Sequence, residues 1–169
     1  MESGVDSSVL PGVANGDTLL PGFPRDPPNP LYRKLRRPTC FRLIMILSVS
    51  PHLDCMMSTV DLDIQYPSYH ALSYCWGSPN RDVTLQCNGR KLGISSNLAE
   101  GLKRLHAYAV EAQSTTPTLF WVDQICINQE DNDERTQQVR MMRSIYQQST
   151  HTLIWLPLKN GECYPLAKD

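Results

Sequence analysis

Short apolar runs, separated by polar and turn-forming residues, make up much of the chain between residues 40 and 156. Their length is that of β-strands rather than of helices. Two of the runs flank Asn88-Gly89, a dipeptide that favours a type I′ hairpin because both central residues need positive φ. The first two runs are candidates for pairing with each other. The predicted strands cover residues 41–47, 55–62, 70–77, 83–87, 90–94, 118–122 and 152–156.

Two further segments repeat apolar residues at helical spacing. The first predicted helix covers residues 98–112 and follows candidate N-caps at 95–97; the second covers residues 131–149. Asp131 and Glu134 have the spacing of a capping box at the start of the second helix. The repeating apolar positions are Leu98, Leu102, Leu105 and Ala109 in the first helix and Val139, Met142 and Tyr146 in the second.

The order of these elements predicts an α/β fold. From residue 70 to 156 strands alternate with helices, which favours right-handed crossovers and a mostly parallel sheet flanked by helices. The β-hairpin is expected as an insertion or edge on that sheet. Residues 1–38 hold seven of the thirteen prolines and are predicted to be a disordered leader. Residues 39–157 are then the domain core, and residues 158–169 are a C-terminal tail that suggests truncation.

Composition narrows the function classes. The net charge of −1 gives no electrostatic reason to expect a nucleic acid as partner. The longest apolar run, 43–47, is far below the ~20 residues of a membrane span. The N-terminus lacks the pattern of a secretory signal. The six cysteines include no C-x-x-C pair and the four histidines are scattered, so no metal or cofactor site is predicted. These features favour a cytoplasmic protein.

Three sequence blocks occur together in an order that is highly specific. Ala71-Leu-Ser-Tyr-Cys-Trp-Gly77 is the first, and Asn97-Leu98 with the following helix is the second. The third begins with Trp121-Val-Asp-Gln-Ile-Cys-Ile-Asn-Gln129 and continues into the second helix. Over residues 41–156 the chain resembles the fungal heterokaryon incompatibility (HET) domain family. It departs from the family pattern at Gln124, Ser149 and Pro157.

The resemblance implies a role in fungal non-self recognition, or vegetative incompatibility, and in programmed cell death. It also implies a likeness to TIR-type domains, flavodoxin-like modules of which some cleave NAD at the nicotinamide glycosidic bond. NAD would then be a substrate, and the protein would be a hydrolase of the NAD nucleosidase type. Whether the protein is an enzyme is left open at this point. The alternatives are a non-enzymatic signalling module, acting by self-association or with other incompatibility proteins, and an inactive fragment of a longer protein.

Glycosidic cleavage needs a carboxylate near the ribose, and an open α/β sheet places such a site beyond the carboxyl ends of its strands. Glu134 and Asp123 are the candidate catalytic carboxylates, Arg135 is a candidate for phosphate binding, and Trp76 is a candidate for stacking on a base. We expect residues 73–77, 123–129 and 134–135 to converge at one edge of one sheet. The candidate ligand-binding residues are Ser73, Tyr74, Trp76, Gly77, Asn128, Gln129 and Arg135.

Each candidate also has a structural interpretation that needs no catalysis. Glu134 fits a capping box, and Asp123 could accept hydrogen bonds from loop amides. Asn128 and Gln129 could shape their loop by bonding to its backbone. Core positions are expected for Trp121 and Trp155, and nucleophile roles for Cys126 and Ser73 are disfavoured because neither has the sequence setting of an activated nucleophile.

Overall fold

The computed structural model describes residues 26, 30–64 and 66–156 and the backbone of residues 167 and 168. It contains all seven predicted strands and both predicted helices, with shifted ends, together with a short helix and an eighth strand that the pattern did not predict. In chain order the elements are β1 Cys40–Ser48, β2 Leu53–Asp61, β3 His70–Tyr74, β4 Val83–Cys87, β5 Arg90–Ile94, α1 Ser96–Glu111, β6 Phe120–Trp121, α2 Asp123–Cys126, α3 Asn132–Gln148, β7 His151–Trp155 and β8 Ala167–Lys168.

The strands form one sheet in the order β5-β4-β2-β1-β6-β3-β7-β8. The prediction of an α/β fold is confirmed, but the prediction of a mostly parallel sheet is wrong. The β1–β2, β1–β6, β4–β5 and β7–β8 pairs are antiparallel, and β2–β4, β3–β6 and β3–β7 are parallel. The reason is that β1 and β2 are joined by a short turn, which permits only antiparallel pairing, and together they occupy the middle of the sheet.

The parallel part of the sheet consists of β6, β3 and β7 in that order. Ala71 of β3 is in register with Trp121 of β6, and Tyr74 of β3 is in register with Trp155 of β7. α1 precedes β6 and α3 precedes β7, so the predicted strand–helix–strand–helix–strand core is present. The carboxyl ends of these three strands therefore meet at one edge of the sheet.

The hydrophobic core surrounds β1, whose residues are apolar on both faces with the exceptions of Arg42 and the last residue, Ser48. Trp121 and Trp155 are 0% and 1% exposed, which confirms the prediction that both belong to the core. Gly101 of α1 lies against the Trp155 indole, and a Cβ at this position would be only 3.3 Å from its Cδ1 atom. The lack of a side chain at Gly101 thus lets α1 approach β7 closely.

The predicted hairpin is present at Asn88-Gly89, where φ is 49° and 77°. Its strand β4 pairs with β2 rather than with β6, β3 or β7. The hairpin therefore forms the edge of the sheet that lies opposite to β7 and β8. The Asn88 side chain is buried because it extends the β2–β4 ladder. Its amide accepts a hydrogen bond from Met57 N at 2.9 Å and donates to Met57 O, also at 2.9 Å.

Packing against the domain begins before the predicted boundary at residue 39. The Tyr32 hydroxyl donates to Ile125 O at 2.8 Å, and the Arg33 carbonyl accepts a hydrogen bond from Arg42 at 2.6 Å. Most of the predicted leader, 1–25 and 27–29, lies outside the described residues, as do residues 157–166 and 169 of the C-terminal end.

Candidate functional site

The candidate site lies where the chain leaves β3 and β6 at their carboxyl ends. Asp123 is the first residue of α2, directly after β6, and Trp76 lies two residues beyond the end of β3. The Trp76 indole Nε1–H donates to Asp123 Oδ2 at 2.9 Å. Asp123 Oδ1 accepts a second hydrogen bond from Gln124 N at 2.7 Å. Two of the predicted polar segments are thus in direct contact.

Two tyrosines and a glutamine surround this pair. The Tyr74 hydroxyl donates to Gln124 Oε1 at 3.4 Å, and the Tyr146 hydroxyl donates to Leu72 O at 3.1 Å. Gln124, where the family pattern has a small residue, is only 6% exposed. Its amide therefore supplies a polar partner inside the site that the pattern alone did not indicate.

Burial dominates the electrostatics of the site. It raises the pKa of Asp123, although hydrogen bonds from Trp76, from Gln124 N and from Tyr74 act in the opposite direction. Burial, followed by the Asp123 charge, raises the pKa of Tyr74 and raises the pKa of Tyr146 to about 12. A partly desolvated carboxylate of this kind at the end of a strand is typical of functional sites.

The second predicted acid, Glu134, is in a different setting. Its carboxylate forms a two-point ion pair with Arg42 of β1, with Arg42 NH1 at 2.5 Å from Oε1 and NH2 at 3.0 Å from Oε2. Oε1 also accepts from Asn128 N at 2.8 Å. The side chain of Arg42 is 0% exposed and that of Glu134 is 8% exposed. Glu134 is therefore the counter-charge of a buried arginine.

The start of α3 shows half of the predicted capping box. Asp131 is the N-cap, and its side chain accepts from Asp133 N and Glu134 N, each at 3.0 Å. The reciprocal bond differs from the prediction, because the Glu134 carboxylate bonds to Asn128 N instead of Asp131 N. The attraction of the buried Arg42 charge accounts for this difference.

The remaining loop residues make local contacts. Asn128 Oδ1 accepts from Glu130 N at 3.3 Å, and Gln129 Nε2 donates to Asp123 O at 2.9 Å. Arg135 is exposed and donates to Gln129 O at 3.3 Å and to Asn132 Oδ1 at 2.8 Å. The Gln129 side chain thus bonds back to Asp123, the first residue of the 123–129 loop. Arg135, a residue of α3, bonds to the backbone of Gln129, the last residue of that loop.

The N-terminus of α3 borders an open depression of acidic character. Because Asp131 already accepts from the first free amide groups of the helix, and because the surrounding side chains are acidic, this end does not favour a phosphate. The residues lining the depression are Asn128, Glu130, Asp131, Asn132 and Asp133.

Ser73 and Gly77 occupy the two ends of the β3 segment of the site. Ser73 lies within β3 opposite Ile154, and its hydrogen bond with the Tyr146 hydroxyl partly offsets the rise in the pKa of that tyrosine caused by burial. Gly77 has φ of +68°, a conformation that favours glycine, and so turns the chain after Trp76.

Asn97 belongs to the site, although the sequence indicated it only as one of three candidate helix caps. Its Nδ2 donates to Cys75 O at 2.6 Å, and its Oδ1 accepts from Trp155 Nε1 at 3.0 Å. The one signal for a role in the site was its place in the second sequence block. Arg42 was also missed, although a charge inside an apolar run signals a buried partner.

Two absences apply to the part of the chain that the structure describes. No group of three or more histidine, cysteine, aspartate or glutamate side chains within it could hold a metal ion. None of its helices combines the length and the apolar character that crossing a membrane requires.

The fold and the site therefore define a mixed α/β domain with a desolvated carboxylate at the ends of parallel strands. The family model described as heterokaryon incompatibility protein (HET) matches residues 69–167, more than half of the chain. The chain belongs to the HET family.

A curated relative is similar to part of the chain. Heterokaryon incompatibility protein 6, OR allele, of Neurospora crassa is 42% identical over an alignment of 98 residues, and the match covers 53% of this chain and 14% of that protein. The chain thus spans only a small share of this relative's length. No solved structure matches the chain.

Proposed function

We propose that this protein acts in fungal heterokaryon incompatibility as a non-self-recognition and programmed cell death protein of the cytoplasm, and that it does so by TIR-like cleavage of NAD. The observation that carries the enzymatic part is the contact between Trp76 and Asp123, which joins the ends of β3 and β6 around a desolvated carboxylate. The name of the Neurospora relative supports the biological part.

The reaction is hydrolysis of the nicotinamide glycosidic bond. NAD⁺ and water give ADP-ribose, nicotinamide and a proton. Asp123 acts on the ribose side of that bond, where positive charge develops in the transition state. Its carboxylate has about four acceptor positions, and Trp76, Gln124 N and Tyr74 use three of them. The remaining position can accept a hydrogen bond from a ribose hydroxyl, and the exposed part of the Trp76 ring can stack on the nicotinamide.

We assign the catalytic carboxylate to Asp123 rather than to Glu134. Both oxygen atoms of Glu134 accept from Arg42, and one accepts from Asn128 N as well. A substrate hydroxyl at this position would have to displace charge-assisted hydrogen bonds from a buried guanidinium, which is energetically costly. Asp123 has only neutral donors and lies beside an exposed aromatic ring.

The position of Asp123 in the topology gives independent support. The chain passes from β3 to β6 on one side and then from β6 to β7 on the other side of β3, so the strand order reverses there. In open α/β sheets, ligands bind beyond the carboxyl ends of the strands at such a reversal. The mixed sheet keeps this local arrangement in β6, β3 and β7, where the proposed TIR likeness would reside.

The test is NAD consumption by the purified chain. Asp123→Asn should abolish NAD loss, whereas Asp133→Asn, an exposed acid at the start of α3, should leave the rate unchanged. Far-UV circular dichroism and urea unfolding check that both variants are folded. Equal rates in the wild type and in Asp123→Asn would remove Asp123 from the mechanism, and no NAD loss by folded wild type would remove the enzymatic proposal.

A second candidate function is a non-enzymatic module that acts by self-association or by binding other incompatibility proteins. Val110 of α1 and Val139 of α3 favour it, because they are 62% and 55% exposed and leave apolar surface that a partner can cover. The two functions differ in one experiment. If Asp123→Asn, expressed in a fungal host, still arrests growth without lowering cellular NAD, assembly rather than turnover is the activity. If neither form arrests growth, the chain is an inactive part of a longer protein.

A further inference from the structure

The side chain of Asn97 connects three parts of the molecule at the candidate site. It projects from the first turn of α1, its Nδ2 donates to Cys75 O just beyond β3, and its Oδ1 accepts from Trp155 Nε1 at the end of β7. The two distances, 2.6 Å and 3.0 Å, are those of good hydrogen bonds. Donor and acceptor of one amide group are therefore both in use.

Asn97 is itself held in a fixed position. It lies between the N-cap Ser95, which accepts from Leu98 N at 3.2 Å, and the buried body of α1. Trp155, which donates to the Asn97 Oδ1, is 1% exposed and cannot move without disturbing the core. The amide is thus a rigid support for whatever it contacts on its donor side.

The segment on that donor side needs such support. Trp76 lies outside the β3–β7 ladder, is 38% exposed, and is followed by the positive-φ Gly77 and a turn. Asn97 contacts both chain neighbours of Trp76. Its side chain donates a hydrogen bond to Cys75 O, and it lies at van der Waals distance from Gly77, where an added Cβ would be 3.9 Å from the Asn97 Cβ. The indole reaches Asp123 from this backbone.

We infer that Asn97 is a positioning residue, which holds the Cys75–Gly77 segment so that the Trp76 indole stays bonded to Asp123. As a statement about catalysis this rests on the proposed function; as a statement about the Trp76–Asp123 contact it does not. Aspartate at position 97 would keep the acceptor for Trp155 but lose the donor for Cys75 O, and alanine would lose both. These two substitutions therefore separate the two halves of the amide.

The experiment uses ¹⁵N-labelled full-length chain and observes the side-chain indole N–H resonances of its three tryptophans. Single Trp→Phe substitutions assign them. The Asp123→Asn variant shows where the Trp76 resonance lies when the indole N–H has no carboxylate partner. In Asn97→Ala the Trp76 and Trp155 resonances should both move, Trp76 toward its Asp123→Asn position. In Asn97→Asp only the Trp76 resonance should move in this way, since Trp155 keeps its acceptor.

Trp121 and Ser96→Ala provide the controls. Trp121 has no hydrogen bond to Asn97 among the described residues, so its resonance should not move in either Asn97 variant. Ser96 is the exposed neighbour of Asn97 on α1, so Ser96→Ala should leave all three resonances unchanged. In the NAD assay, Asn97→Asp should lower the rate roughly tenfold to a hundredfold, the effect expected for a displaced binding group.

Two results would overturn the inference: a Trp76 resonance that is unchanged in both Asn97 variants, or equal shifts of all three resonances, which would indicate general loss of packing. If Asn97→Ala does not fold, Asn97→Asp carries the test. Absence of NAD loss in the wild type would refute the proposed function but leave the resonance test intact, so the two failures are distinguishable.

Discussion

Substituting Glu134 with glutamine should destabilise the domain strongly, because it leaves the charge of Arg42 buried without a counter-charge. Arg42 is 0% exposed in its side chain, and both of its terminal nitrogen atoms contact the Glu134 carboxylate. Glutamine has a similar shape but one acceptor oxygen, for which Arg42 and Asn128 N would compete.

The expected loss can be bounded from the remaining contacts. Removing one partner of a buried ion pair costs about 3–5 kcal/mol. Arg42 keeps two carbonyl acceptors, Cys126 O at 3.1 Å and Arg33 O at 2.6 Å, and lies 5.1 Å from the centre of the Tyr32 ring. Because Arg42 keeps these contacts, the loss of stability in Glu134→Gln should lie near the lower end of that range, at about 3 kcal/mol. This is a large part of the ~5–15 kcal/mol free energy of unfolding of a typical domain.

Urea unfolding, followed by tryptophan fluorescence, measures this loss. With an m-value of about 1–3 kcal/mol/M, the midpoint should fall by roughly 1–3 M. Glu130→Gln is the matched control, an exposed acid four positions earlier, and should change stability by less than about 0.5 kcal/mol. A Glu134→Gln midpoint equal to that of Glu130→Gln would refute the reasoning that Glu134 neutralises a buried charge.

The remaining predictions concern three other parts of the molecule. Burial raises the pKa of Asp123, so the folded chain binds its proton more tightly than the unfolded chain, and the contribution of Asp123 to stability falls as pH rises from about 4 toward neutrality. Asp123→Asn should remove that loss, and its stability relative to the wild type should increase between about pH 4 and about pH 7 in urea unfolding; an unchanged difference would contradict this. Asn88→Gly should keep the hairpin turn but lose the bonds to both backbone groups of Met57, lowering stability by about 2 kcal/mol in the same assay, whereas an unchanged midpoint would show that the buried amide contributes nothing. In a Cys163→Ser background, a thiol reagent should label the exposed Cys75 rapidly and the fully buried Cys55, Cys87 and Cys126 only after denaturation, and burial also raises the pKa of Cys126 to about 12; rapid labelling of Cys55 or Cys87 would contradict the packing of β2 and β4.

The position of the candidate site could be predicted to the extent that strand connections determine which strand ends lie close together. Asp123 follows an apolar run and Trp76 follows another, and strands joined through helices pair in parallel, so their carboxyl ends had to be close if the two strands were neighbours. The structure confirms this neighbourhood in the β3–β6 pair. The roles of Asp123, Trp76 and the other candidate residues in binding or catalysis stay predictions until the NAD assay is done.

The partners of individual side chains were not predictable in the same way. Glu134 has capping-box spacing with Asp131, three residues away, but its carboxylate bonds to Arg42, 92 residues away. Asn97 looked like one of three candidate helix caps, but it bonds to Cys75 and Trp155, 22 and 58 residues away. Local patterns contain no information on contacts at such separations.

The sequence by itself determined seven of the strands, the two long helices, the turn at Asn88-Gly89 and the family, because periodicity, turn chemistry and motifs are properties of neighbouring residues. Only the tertiary structure decided that β1 and β2 lie in the middle of a mixed sheet, that Arg42 takes Glu134 as its counter-charge, and that Asn97 supports the Trp76 segment. The physical reason is that strand order and buried polar pairing depend on which distant surfaces must cover each other, and this is settled only when the whole core packs.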